Sequence, residues 1–292
     1  MSKNFDIYQH ITDKIIEKME SVDNSWEMPW HKIGAGMPFN AKTKEPYHGI
    51  NVPMLWMDAD EKGFTSNEWA TFKQWKEKGA SVRLYEKGSM IVFYKMRKGT
   101  RDNEETGEKE KFEYPMIQYS RVFNAEQVDG YETKAVKAPE SDAVRLSHAD
   151  QYIGNTGAKI EHSGDRAFYS PKFDSIKVPK VEQFKTTDGY YGTVLHELTH
   201  WTAHKSRCDR DLRGRFGDEL YAAEELVAEL GAAFLCNTLS ITAEPRDDHA
   251  KYLKSWLKVL KNDKKAIVTA ASKAQKAVDY LDSLQAEQEQ AA

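Results

Sequence analysis

The amino-acid sequence predicts an α+β protein of two domains, the first mixing helices and strands, the second mostly helical with a small sheet. Three observations carry this. Two runs rich in β-branched and aromatic residues, Ser89 to Lys95 and Tyr114 to Phe123, lie in the first half. Segments of helical apolar period fill the second half from Gly189 onward. Between the halves, NAEQVDGYETKAVKAPESD (residues 124–142) is polar and has little apolar period, as inter-domain connections do. The expected division is residues 1–130, a linker at 131–140, a second domain at 141–285 and a frayed tail at 286–292.

In chain order, Phe5, Ile7, Ile11, Ile15, Ile16 and Met19 recur at helical spacing and predict an amphipathic first helix. From Trp26 to Trp56, five aromatic rings alternate with Pro29, Pro38, Pro46, Gly34, Gly36 and Gly49, so turns are expected to dominate. Thr65 and Glu68 form a capping-box pattern ahead of a short helix that carries Trp69, Phe72 and Trp75 and stops at Gly79. The two β-type runs, separated by the charged RKGTRDNEETGEKEK, predict a hairpin with a long tip. A helix at 143–152, three short strands at 158–161, 167–169 and 175–178, a helix on the stretch 189–204, and helices at 218–239, 246–260 and 264–284 complete the reading.

With 292 residues and 40% hydrophobic content the chain can bury two cores. A formal net charge of −4 excludes the global positive field of a DNA-coating protein, so any nucleic-acid contact must be local. Cys208 and Cys236 make neither a C-x-x-C pair nor a disulfide framework, and the N-terminus lacks a signal-peptide pattern, so a cytoplasmic location is expected. No apolar run approaches the roughly 20 residues that span a bilayer, and no membrane partner is expected.

The stretch GYYGTVLHELTHWTAH holds His196, Glu197 and His200 as H-E-x-x-H. Residues four apart share a helical face, so the two imidazoles can meet one divalent cation, with Glu197 as general base. Thr186, Thr187 or Asp188 can cap this helix. A third protein ligand is needed. The position a metzincin would fill with histidine is Ser206, whereas a gluzincin takes a later glutamate, and AEELVAEL offers Glu225 and Glu229 on one face of an apolar helix. One should meet the metal and the other should orient a histidine; the spacing leaves open which. The expected cofactor is Zn2+, with Mn2+ as the alternative. The expected chemistry is metal-assisted peptide hydrolysis, and Tyr190, Tyr191 and Tyr221 are candidate donors to the oxyanion.

The stretches PWHKIGAGMPFNAKTKEPYHGINVPMLW, WATFKQWKEKGASVRLYEKG, IVFYK and YSRVFNAEQVDG, followed by GDRAFYSPKFDSIKVPKVEQF, the motif helix and YAAEELVAELGAAFL, resemble the ArdC-type antirestriction proteins of conjugative plasmids. The resemblance implies an N-terminal single-stranded DNA-binding domain and a C-terminal zincin-like metallopeptidase domain. Together they would protect incoming plasmid DNA from host restriction, with single-stranded DNA and an unknown protein substrate or the host restriction machinery as partners. It points to Trp26, Trp30, Tyr47 and Trp75 as candidate stacking residues, and to Lys73, Lys76, Arg83 and Lys95 as candidate phosphate contacts. The alternative is a single-strand binder whose metal site is only structural.

Overall fold

The computed structural model describes residues 5–21, 36–102, 109–133, 141–213, 218–242 and 249–291. Helix α1 (Ile7–Glu20) starts where the Asp6 side chain accepts from the Gln9 amide, and buries Ile11, Ile15 and Met19, four apart on one face.

Two expectations for the first half need correction. Helix α2 (Asn51–Lys62) runs through the end of the stretch expected to be turns. Pro53 sits in its first turn, where a missing N–H costs nothing, and Val52, Met54, Leu55, Trp56 and Met57 are all buried, so no amphipathic period announces it. The capping box belongs to Thr71 and Gln74, which open α3 (Phe72–Glu77), and not to Thr65 and Glu68. Glu68 instead begins a strand, because a fully buried Trp69 is worth more in a sheet than a further helical turn would be.

A four-stranded sheet has the order β1 (Phe39–Asn40), β2 (Glu68–Ala70), β5 (Lys109–Asn124), β4 (Ser89–Asp102). Strands β4 and β5 form an antiparallel ribbon in register from Ser89↔Val122 to Asp102↔Lys109, longer than the sequence suggests. Its free edge is stapled at Val92, whose backbone N–H and C=O both bond the Asn51 amide, at 2.7 and 2.8 Å. Strands β3 (Ser81–Val82) and β6 (Val128–Asp129) pair separately.

Helix α4 (Asp142–Asn155) precedes a three-stranded sheet of order β7 (Lys159–His162), β9 (Ser175–Val178), β8 (Phe168–Ser170), with β8 antiparallel on the outside. Helices α5 (Thr187–Trp201), α6 (Glu219–Thr238), α7 (His249–Asn262) and α8 (Ala266–Ala291) follow; α8 continues through the residues expected to fray. No helix among the described residues is long and apolar enough to cross a membrane.

The two parts share packing. Trp56 of α2 lies 6.0 Å from Phe234 of α6, Thr12 donates to the Lys264 carbonyl, and the Gly49 amide donates to Gln275. Helices α5 and α6 come closest at Gly231, where an added Cβ would stand 2.5 Å from Thr199 Cγ2. Gly231→Ala must therefore push apart the two helices that frame the site described next. It is expected to cost about 1–3 kcal/mol, read as a lower melting temperature. Wild-type melting would show that the close approach carries no packing energy.

Candidate metal centre

The Thr186 hydroxyl accepts from the Gly189 amide at 3.0 Å and starts α5, which carries His196, Glu197 and His200 inward, all buried or nearly so. Helix α6 faces it with Glu224, Glu225 and Glu229, each less than a tenth exposed on a helix otherwise packed with Leu226, Ala228, Leu230 and Ala233. Burying three carboxylates is costly unless each meets a positive or donating partner. Each does.

Glu225 reaches both histidines: its two oxygens stand 3.5 Å from His196 Nε2 and 3.4 Å from His200 Nε2. Ligands held at about 2.0–2.1 Å by a tetrahedral cation stand about 3.3 Å apart, close to the distance from each imidazole to its nearer Glu225 oxygen. Ligand atoms of His196, His200 and Glu225 all lie within 4.8 Å of one another, and two imidazoles with one carboxylate are a donor set suited to zinc or another divalent cation. The residues fit the metal.

The outward-facing ring nitrogens face the remaining pair, His200 Nδ1 within hydrogen-bond distance and His196 Nδ1 at ion-pair distance. Glu229 Oε2 faces His196 Nδ1 at 3.7 Å, and Glu224 Oε1 meets His200 Nδ1 at 3.3 Å. The two carboxylates left open by spacing stand apart: Glu225 lies beside both Nε2 atoms and Glu229 beside His196 Nδ1. Glu224 is held in turn by Arg210, whose Nε and Nη2 donate to it at 3.1 and 2.8 Å. Arg210 also donates to Thr202 Oγ1 and to the Thr199 carbonyl. The sequence gives no signal for this arginine, which lies in the loop after α5. Backbone bonds from Cys208 to Thr202 and from Arg210 to Ala203 fold that loop back under His200.

Electrostatics follow from this crowding. Burial by itself lowers the His200 pKa, but its hydrogen bonds to Glu224 and Glu225 and the charges of Glu225 and Glu197 outweigh burial and raise it to about 10. For Glu225, burial opposes the charge, yet bonding to His196 and His200 holds its pKa far below the usual carboxylate range. A proton on the His200 imidazole therefore stands in for the cation and must leave when a cation binds.

Glu224→Gln keeps the shape around His200 but removes the charge that orients it, and a 10- to 100-fold loss of metal affinity is expected. Isothermal titration checks this, and wild-type affinity would free His200 from dependence on Glu224.

The centre opens into a cleft of about 220 Å3 between β8 and the helical wall, lined by Phe168, Tyr169, Glu197, Tyr221 and Tyr252 among others. Of the candidate oxyanion donors only Tyr221 lines it, 3.2 Å from the Tyr252 hydroxyl. Tyr190 bonds His162 and Tyr191 bonds Asp150, so both are structural.

The candidate nucleic-acid residues fare unevenly. Trp26 and Trp30 lie outside the described residues. Tyr47 and Trp75 must be withdrawn as stacking residues: both are buried, and the Trp75 indole donates to the Phe123 carbonyl beneath the Tyr131 ring. Their faces serve a core. Arg83 is committed to Glu86 and the Glu126 carbonyl, and Lys73 lies beside Glu77. Lys76 is exposed on α3, and Lys95 is exposed on the ribbon.

A two-helix donor set preceded by a small sheet defines the second part as a zincin-type metallopeptidase domain. Comparison with known proteins agrees: residues 147–273 match the family described as a zincin-like metallopeptidase, and residues 5–123 match the N-terminal domain of anti-restriction factor ArdC. The chain is 41% identical to the antirestriction ArdC protein of plasmid R388. The metal-free structure of that protein superposes with a TM-score of 0.78 over 97% of this chain and 99% of that one. Its Mn(II)-bound structure superposes with a TM-score of 0.76 over 96% and 98%. An uncharacterized protein of Sinorhizobium fredii (strain NBRC 101917 / NGR234), y4eC, is 36% identical over 97% of this chain and 93% of its own length. DNA primase TraC of Escherichia coli is 37% identical over 94% of this chain, which spans 27% of the primase. The chain belongs to the ArdC antirestriction family.

Proposed function

We propose that this protein shields incoming plasmid DNA from host restriction during conjugation, by binding single-stranded DNA through its first part and acting on a protein through a zinc-dependent peptidase centre in its second. The observation that carries the reading is the convergence of His196, His200 and Glu225 beside Glu197 at the floor of an open cleft. A metal needed only to hold the fold together would gain nothing from an accessible face.

A bound divalent cation would be held by His196, His200 and Glu225 and would supply a Lewis acid for the scissile carbonyl. Glu197 accepts the proton of the attacking water and passes it to the leaving amine. The Tyr221 hydroxyl is placed on the cleft wall to donate to the developing oxyanion. Glu224 and Glu229 fix the two imidazoles from behind, and Arg210 fixes Glu224. The outer strand β8 lines the same cleft, where an extended peptide can lie along it.

Transfer of an unmodified plasmid into restricting and non-restricting recipients tests the biological role. The protein is expected to raise transfer only into the restricting recipient, and an equal effect on both would overturn the reading. For the DNA step, single strands should bind more tightly than duplex, because unpaired bases contribute about 1–3 kcal/mol each when they stack on aromatic rings. Equal affinities by fluorescence anisotropy would remove that part.

A further inference from the structure

With Tyr47 and Trp75 committed to a core, one face of the β4–β5 ribbon offers a place among the described residues where bases could stack. We infer that the face of this ribbon that carries Phe93, Lys95, Arg97, Phe112, Tyr114 and Met116 is the surface that holds a single strand of nucleic acid. The inference rests on the single-strand reading above and gives it a location.

The register sorts the ribbon into two faces. Tyr94, Met96 and Tyr119 share one, where they are 46–57% exposed, and there Tyr94 meets the Tyr8 hydroxyl at 3.3 Å and the Tyr119 ring lies 5.3 Å from Phe5. The ion pair Lys98–Glu113 also lies there, its partners directly opposite in register. On the other face, Lys95 pairs across with Met116, Arg97 with Tyr114 and Gly99 with Phe112. Phe93, Tyr114 and Met116 are each about two-fifths exposed there.

Gly99 is part of the design of this face. A Cβ at that position would stand 3.0 Å from the Phe112 ring and 3.2 Å from Tyr114, so glycine lets both rings lie close against the strand without shifting. The two ring centroids are 5.5 Å apart with planes inclined at 32°. A long ribbon that leaves several large apolar side chains in water is an aggregation hazard unless something covers them. What would cover this one is selected by charge. From Phe93 to Gly99 and Phe112 to Gln118, this face carries the cations Lys95 and Arg97 and no acid, in a chain whose net charge is −4.

Rings beside unopposed cations match a polyanion with accessible π-faces. Same-face side chains recur about every 6.8 Å along a strand, about twice the 3.4 Å rise per nucleotide within a duplex. Bases must therefore separate to occupy successive rings, which a single strand does readily and a duplex does not.

The test is fluorescence anisotropy of the full chain with labelled oligothymidylate, oligouridylate and a duplex, across a salt series. Phe93→Ala combined with Tyr114→Ala should weaken single-strand binding at least about tenfold. Lys95→Gln combined with Arg97→Gln should reduce the salt slope by about 1.4, two phosphates' worth. Phe173→Ala, an exposed ring on the second part, should change neither quantity. Should the aromatic pair fail to fold, as judged by melting, the exposed charge pair still decides. Binding to thymidylate alone, or to uridylate as well, supports the surface and identifies the strand it takes. Wild-type affinity and slope in both double variants would overturn this location while leaving the single-strand reading intact. Absence of any single-strand binding by the wild type would overturn both.

Discussion

Glu225→Ala is expected to strip the chain of stoichiometric divalent metal while leaving it folded. Among the described residues Glu225 is the carboxylate grouped with both histidines, and its loss leaves two buried imidazoles without the group that completes their donor set. The expected loss of affinity exceeds the 10- to 100-fold typical of residues that only orient a ligand. Glu229→Ala, which removes a group behind His196, should fall inside that range. Metal content by mass spectrometry and affinity by titration order the two variants. A larger loss at Glu229 would exchange their roles, and wild-type affinity in both would move the third ligand elsewhere.

The second large effect belongs to Glu197→Gln. The amide preserves the shape of the side chain but cannot take a proton, so cleavage of any protein substrate should fall by about 10²- to 10⁴-fold with metal still bound. Turnover and metal content need to be measured on the same preparation. A variant that keeps its metal and still cleaves at the wild-type rate would show that Glu197 is not the base. The same variant addresses the structural-metal alternative: that reading expects full protection in the transfer assay from Glu197→Gln, whereas the peptidase reading expects protection to fall with turnover.

How much of this was legible in the sequence depends on how local the signal is. The H-E-x-x-H spacing needs only one helix, so His196, Glu197 and His200 can be placed on one element from the sequence alone. The pair Glu225 and Glu229 could be seen as a carboxylate face on an apolar helix, but choosing between them required the rotation of α6 against α5. In that arrangement Gly231 lies close against Thr199. Arg210 was invisible because its role depends on a loop folding back, which no periodicity encodes. Helix α2 hid for the opposite reason: it is buried nearly all round, so its apolar residues have no period to read. The same limit misled the choice of stacking residues. An aromatic ring in a turn-rich or short helical segment looks alike whether it faces water or a core, and Trp75 proved to face a core.

The central claim, that α5 and α6 together build one metal centre from His196, His200 and Glu225, is tested most directly by X-ray absorption spectroscopy of the zinc-loaded full chain. Two imidazole nitrogens and a carboxylate oxygen are expected around the zinc, with the imidazole signature lost in His196→Ala and His200→Ala. A shell of oxygens alone, unchanged in those two variants, would contradict it.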